Sequence, residues 1–334
     1  MKKKIGKQSI AFLKQPVVTS TANIVGPMEG EGYLAEHFDR IMKDNLDGNQ
    51  SWEQCESSMM EWAISQAVKK DNRQMADIDY VLAGDLLNQL MSTHFALRGL
   101  ERPFLGLYGA CSTLVESLLL GAVLIDGEFG DTVAVAASSH HDASERQYRF
   151  PTELGVQRPP IAQWTVTGAG AAVIAAAGNG PRITAATVGK INDLGIKDPN
   201  AMGAAMAPAA VDTLWQHIQD TKRQPAYYDM IFTGDLGSIG KTLVLELFKE
   251  KGLDIKSNYE DCGCMIYRDE QDAHAGASGC ASSAVVFSGY IYRQLLERKW
   301  RRVLLIGTGS LHSTTSYQQK ESIPCIAHAV ALEM

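Results

Sequence analysis

The chain repeats itself. Asp79-Tyr-Val-Leu-Ala-Gly-Asp85-Leu86 matches Asp229-Met-Ile-Phe-Thr-Gly-Asp235-Leu236, each an apolar run ending in a Gly-Asp turn. Farther on, Gly109-Ala-Cys-Ser-Thr113 lies over Gly279-Cys-Ala-Ser-Ser283 without a gap. Each opens a helical pattern that leads to an apolar strand, Thr132-Val-Ala-Val-Ala-Ala137 in one copy and Arg302-Val-Leu-Leu-Ile-Gly307 in the other. Strands alternating with amphipathic helices, repeated once, predict an α/β protein of two fused βαβ halves, residues 1–180 and 181–334. The repeat is longer than a solenoid unit, so the halves should be related by a pseudo-twofold axis. Their strands are continuous apolar runs, which predicts sheets buried on both faces. The Ala-rich stretch from Gly168 to Ala177 reads as a strand under close-fitting helices. The segment from His141 to Gln163, with Pro151, Pro159 and Pro160, reads as a long irregular cover.

Cys111 stands where the first repeat turns from an apolar run into a helix. A thiol at a helix N-terminus feels the macrodipole and free N–H groups, which favour the thiolate needed for acyl transfer. A small buried thiol that packs where a larger residue would not fit is the alternative. Other chemistries are disfavoured. Lys plus Arg number 31 against 38 Asp plus Glu, a net charge of -7, so nothing points to nucleic acid. Met1-Lys-Lys-Lys4 leads into no apolar stretch long enough for a signal peptide or membrane span, which predicts a chain kept on the cytoplasmic side. Its six cysteines then read as reduced thiols, and Cys262-Gly-Cys264 is too tight for a zinc knuckle. Gly237-Ser-Ile-Gly240-Lys241-Thr242 lacks the leading glycine of a phosphate loop and has Asp235 in its place. Gly168-Ala-Gly170 has no third glycine, so it reads as core packing rather than a dinucleotide turn. Glu29-Gly-Glu-Gly32 and the stretch from Asp44 to Gln50 read as solvated loops. His140 follows a strand end, where α/β sheets face ligands, and His328 lies in the apolar run Ile326-Ala-His-Ala-Val330.

The paired halves, with Gly-Ala-Cys-Ser-Thr opening a helix in the first, resemble the thiolase-like fold of condensing enzymes. The Gly-rich Gly307-Thr-Gly-Ser310 resembles the glycine-rich loop beside their cysteine. Closer still is a likeness to the stage V sporulation protein AD family. Leu82-Ala-Gly-Asp-Leu-Leu-Asn-Gln89, Ala143-Ser-Glu-Arg-Gln147, Thr187-Val-Gly-Lys190 and Met206-Ala-Pro-Ala-Ala210 resemble that family. So do Asp261-Cys-Gly263 and Gln319-Lys-Glu-Ser-Ile-Pro324. The resemblance implies five layers, α-β-α-β-α, in a homodimer joined by edge strands. It implies a spore protein, peripheral to the inner spore membrane, that binds dipicolinic acid (pyridine-2,6-dicarboxylate) and serves its uptake with membrane proteins of the same transport system.

The residues bear on whether such a chain is an enzyme. Condensation needs donors, His and Asn in the type III synthases, that stabilise the developing enolate and oxyanion. The turn resembling the His-bearing one reads Thr233-Gly-Asp235, and the Asn-bearing one reads Gly276-Ala277. An ionised Asp repels an oxyanion and Ala donates nothing to it, so a non-catalytic binder is expected. The alternatives are an acyl-transferring condensing enzyme with Cys111 as nucleophile, and a scaffold with a vestigial pocket. The ligand-binding residues expected between the halves are Asp85, Cys111, Ser112, His140, Asp235 and His328. Aspartates facing a dianion require a protonated Asp, a protonated ligand, or entry as the calcium chelate. His328 could add positive charge to any of these. No other cofactor is expected.

Overall fold

The structure, a computed structural model, describes residues 2–148 and 158–334. The first half contributes β1 (Val17–Val25), β2 (Tyr80–Gly84), β3 (Phe104–Gly106), β4 (Thr132–Ser139) and β5 (Gly168–Ala175). The second contributes β6 (Arg182–Thr187), β7 (Met230–Thr233), β8 (Tyr259–Asp261), β9 (Arg302–Ser310) and β10 (Cys325–Glu333). Side by side the first set runs β3-β2-β4-β5-β1 and the second β8-β7-β9-β10-β6, the same permutation. Directions repeat as well. β2 is parallel to β3 and β4, while β5 is antiparallel to β4 and β1. Likewise β7 is parallel to β8 and β9, while β10 is antiparallel to β9 and β6. The two sheets touch through an antiparallel bridge between Val17 and Arg182.

The helices used below are α1 (Trp52–Lys70), α2 (Thr113–Asp126), α3 (His141–Tyr148), α4 (Met202–Thr221), α5 (Gly237–Glu250) and α6 (Cys280–Val286). A π turn over Phe287–Ile291 and a last helical piece, Tyr292–Leu296, extend α6. Alternation along the strands sorts the layers. Val133 and Val135 point inward to a shared core with Leu114 and Leu118 of α2, Val285 of α6, and Val303 and Leu305 of β9. Their neighbours Ala134 and Ala136 point outward beneath Met59, Ala63 and Ile64 of α1. Leu304 and Ile306 likewise face Met206, Leu214 and Phe248 of α4 and α5. Both sheets are therefore covered twice, and α2 and α6 form the middle of five layers. Close approach explains the small residues of β5, since a Cβ on Gly170 would lie 2.4 Å from the Ala284 carbonyl oxygen.

Two expectations need correction. The segment from His141 to Gln163 is not irregular throughout, since α3 occupies its start; just beyond it, Trp164–Thr165 pairs in parallel with Ala277–Ser278 of the second half. Pro151 lies outside the described residues. Glu29 is not in a solvated loop but is buried, accepting hydrogen bonds from the Thr167 N–H at 2.9 Å and the Tyr267 hydroxyl.

Candidate functional site

Asp85 and Asp235 follow the corresponding strands β2 and β7, so the Gly-Asp turns are equivalent in the two halves. Between them α2 and α6 meet N-terminus to N-terminus, with the Cys280 thiol donating to the Ala110 carbonyl at 2.9 Å. Cys111 sits in the tight turn Ala110–Ser112 that leads into α2. Ala110 there has φ +49, a left-handed conformation that costs about 1 kcal/mol or more for a residue with a Cβ. The Gly-rich segment expected as a loop is the end of β9. A Cβ on Gly309 would lie 2.3 Å from the Gly109 carbonyl oxygen, so glycine lets that strand press against the turn bearing Cys111.

The surroundings of Cys111 disfavour its thiolate. Burial pushes its pKa well up, and the charge of Asp235, the neighbouring Cys280 and a hydrogen bond to Asp235 add to this. The Gly279 N–H, at the start of α6, acts in the other direction and is outweighed. Asp235 is itself buried and raised to about 6 by desolvation. Its oxygens accept from the Thr308 hydroxyl at 2.7 Å and the Gly279 N–H at 3.1 Å. Ala277 offers no donor from its side chain, and its carbonyl accepts from Gln163 Nε2 at 2.8 Å. The expectation of a lowered thiol pKa counted the dipole but not the burial of the thiol, the larger cause, nor the carboxyl beside it.

Of the six expected site residues, Cys111 alone lines the main cavity. Asp85 is sealed beneath it, accepting from the Leu87 and Thr93 N–H groups at 2.7 Å and from the Thr93 hydroxyl. Burial raises its pKa, and the buried carboxyl of Glu56 lies close by. The Ser112 hydroxyl is turned back onto the Gly109 carbonyl at 2.6 Å. His140 is buried with Nε2 2.7 Å from the Asn45 carbonyl. His328 accepts from the Gly189 N–H at 3.2 Å, and burial lowers its pKa to about 4. It is therefore neutral near pH 7 and supplies no positive charge. Asp235 stands behind Cys111. Turn and strand residues at a sheet's carboxyl edge point either into a crevice or back into the backbone, and sequence does not distinguish the two.

The cavity measures about 490 Å³, within the range of small-molecule sites. Tyr108, Tyr148 and His312 give it an aromatic wall, and Leu86, Met202, Leu311 and Ile326 give it an apolar one. The Tyr108 and Tyr148 hydroxyls are 2.9 Å apart, and the Tyr148 ring stacks on His312 at 6.2 Å. Polar groups come from Ser144, Glu145, Thr165 and Ser278. Among the described residues no Lys or Arg lines it, and Glu145 is its one carboxylate. Glu145 accepts from the Thr165 hydroxyl at 3.1 Å, with Arg158 3.6 Å away. Sequence reasoning missed this wall, although Tyr108 is three residues before Cys111 and Glu145 lies in a phrase already singled out.

Other candidates close off. The first N–H of α5, on Gly237, and that of Leu236 before it donate to the buried Asp261 carboxylate at 2.8 and 2.9 Å, so no phosphate loop forms there. No cluster of three or more potential metal-ligating side chains occurs among the described residues.

Residues 6–333 match the family described as stage V sporulation protein AD. The stage V sporulation protein AD of Bacillus subtilis (strain 168) is 46% identical over 328 residues, spanning 98% of this chain and 97% of that protein. Among solved structures, 3-oxoacyl-[acyl-carrier-protein] synthase III from Aquifex aeolicus VF5 is similar with a TM-score of 0.60 at 12% identity, covering 96% of this chain and 100% of that one. Human mitochondrial 3-ketoacyl-CoA thiolase gives 0.59 at 13% identity, with 96% and 99% covered. The fold is thiolase-like; at these identities the likeness extends to the fold alone.

Proposed function

The chain belongs to the stage V sporulation protein AD family, and we propose that it is a binding protein, not an enzyme, that holds dipicolinic acid for uptake into developing spores. The observation that carries this reading is the Cys111–Asp235 pair. A thiol held protonated beside a buried carboxyl is a poor nucleophile, and the same carboxyl opposes the oxyanion that acyl transfer must build. What remains is a cavity with aromatic and apolar walls and a few hydroxyls, suited to a compact aromatic acid.

The lining also bears on the ligand's charge. Among the described residues no Lys or Arg lines the cavity, and a free dianion would meet Glu145, whose charge Arg158, 3.6 Å away, offsets only in part. The calcium chelate is neutral overall, and Glu145 with the hydroxyls of Ser144 and Ser278 offers oxygen ligands to its cation. The chelate is therefore the proposed cargo. No helix among the described residues is long and apolar enough to cross a membrane, which fits a peripheral protein that passes its ligand to membrane partners.

Titration of the purified protein with dipicolinate, with and without calcium, and in parallel with acyl-coenzyme A thioesters, tests the reading. Saturable heat with dipicolinate and no thiol release from the thioesters is expected. Thioester turnover that disappears in Cys111→Ala would establish the acyl-transfer alternative instead.

A further inference from the structure

A second cleft lies at the far end of α6 from Cys280. Its volume is about 290 Å³, and it opens between Thr19, Ser20 and Thr21 of β1 and the stretch from the π turn to Leu296. π turns in helices recur at functional sites. Gly289 in this one is required by close approach, since a Cβ there would lie 2.6 Å from the His37 carbonyl oxygen and 3.1 Å from Asn23 Nδ2.

The cleft is equipped for an oxyanion. Lys70 reaches its floor, bonded to the Thr21 carbonyl at 3.1 Å and to Asp39 at 2.6 Å, with a third ammonium proton still to place. Arg293 lines it and makes one long hydrogen bond, 3.4 Å to the Glu36 carbonyl. Two buried nitrogens beside it, Asn23 Nδ2 and His37 Nδ1, have no protein partner, and Asn23 is 1% exposed. Buried orphans of this kind are uncommon in folded proteins and call for a partner such as a water or an ion; His37 lines the cleft and Asn23 lies behind it. Arg298, Lys299 and Arg301 are exposed just beyond Leu296, with Lys299 paired to the exposed Glu297 at 2.9 Å. The carboxylate of Asp39 is the counterweight, occupying one face of Lys70.

We propose that this cleft binds a phosphate oxyanion between Lys70 and Arg293. Inorganic phosphate and the headgroup of an anionic phospholipid share that chemistry. The site is separate from the Cys111 cavity and does not depend on what that cavity binds.

Inorganic phosphate titrated into labelled protein should shift the His37 ring and Asn23 side-chain amide signals saturably. Arg293→Gln and Lys70→Gln should each weaken binding roughly 10- to 100-fold, the effect of one charged hydrogen bond. Asp39→Asn should tighten it, a gain that loss of folding cannot mimic. In the second arm, phosphatidylglycerol vesicles are compared with phosphatidylcholine vesicles in co-sedimentation. Binding of free phosphate assigns a soluble ligand, and binding of phosphatidylglycerol vesicles alone, lost in Arg293→Gln, assigns a headgroup. If neither binds at millimolar concentration, or if binding is unchanged in both Arg293→Gln and Lys70→Gln, the proposal is wrong.

Discussion

The thiol of Cys111 is hydrogen-bonded to the buried carboxyl of Asp235, across the interface between the two halves. Neither group is where its ordinary pKa would put it. The carboxyl raises the cost of ionising the thiol, whereas the thiol's hydrogen bond favours the ionised carboxyl, whose pKa is raised by burial instead.

Removing the carboxyl should release the thiol. Asp235→Asn is expected to lower the Cys111 pKa and to speed its alkylation at mildly alkaline pH by about tenfold or more, the worth of one pKa unit. Peptide mapping distinguishes Cys111 from the other five cysteines. Equal rates in parent and variant would show that burial alone silences the thiol.

The buried carboxyls should also make stability depend on pH. Glu29 is raised to about 7 and Asp235 to about 6, each chiefly by desolvation. A carboxyl with a folded pKa above its unfolded one binds protons more tightly in the native state, so stability falls as pH rises through the folded value. Glu29→Gln should match the parent near pH 4 and exceed it near pH 8 by on the order of 3 kcal/mol, less any hydrogen-bond strength lost. Denaturant melts across that range check this, and parallel pH profiles for the two proteins would contradict it.

The central layer should tolerate little. Leu118 on α2 is fully buried against both sheets, so Leu118→Ala is expected to cost about 2–5 kcal/mol in chemical denaturation. A loss below 1 kcal/mol would mean the layer is looser than drawn.

The free edge of the first sheet is β3, where Leu105 is 47% exposed. Pairing of that edge with a second copy is expected to give a homodimer, and Gly106→Pro, which removes an N–H that faces away from β2, should shift it toward monomer. Light scattering at micromolar concentration reads the outcome; a monomeric parent would count against edge pairing.

Much of this architecture was legible in the sequence. The two Gly-Asp turns and the two helix entrances preserve register between the halves, and continuous apolar strands such as β4 announce burial on both faces. The site was less legible. Asp85 looks like a pocket acid in sequence, yet backbone N–H groups hold it, and nothing in a one-dimensional pattern shows which donors a carboxylate will meet. His328 has an alternating apolar context that says buried but not neutral. Tyr148 was missed because the prolines downstream made its helix look like loop. Glu29 was missed because two flanking glycines suggested solvent, whereas its partner Tyr267 lies far along the chain.

The central claim is that the Cys111 cavity takes a neutral aromatic dicarboxylate chelate. Glu145→Gln should weaken binding of the calcium chelate while tightening binding of free dipicolinate, because the same carboxylate attracts the cation and repels the dianion. Tightening of both forms would mean that the ligand enters without its metal.

The most direct measurement is calorimetric titration of calcium dipicolinate into the parent, Ser144→Phe and Tyr148→Ala, with circular dichroism confirming each fold. Ser144 lines the cavity from α3, and a phenyl ring there should occupy the ligand's place; Tyr148→Ala removes part of the aromatic wall. The account predicts saturable binding at one site per chain in the parent. It predicts a loss of roughly 30- to 1000-fold in Ser144→Phe and a smaller loss in Tyr148→Ala. Binding as tight as the parent's in both folded variants would place the ligand elsewhere and contradict the account.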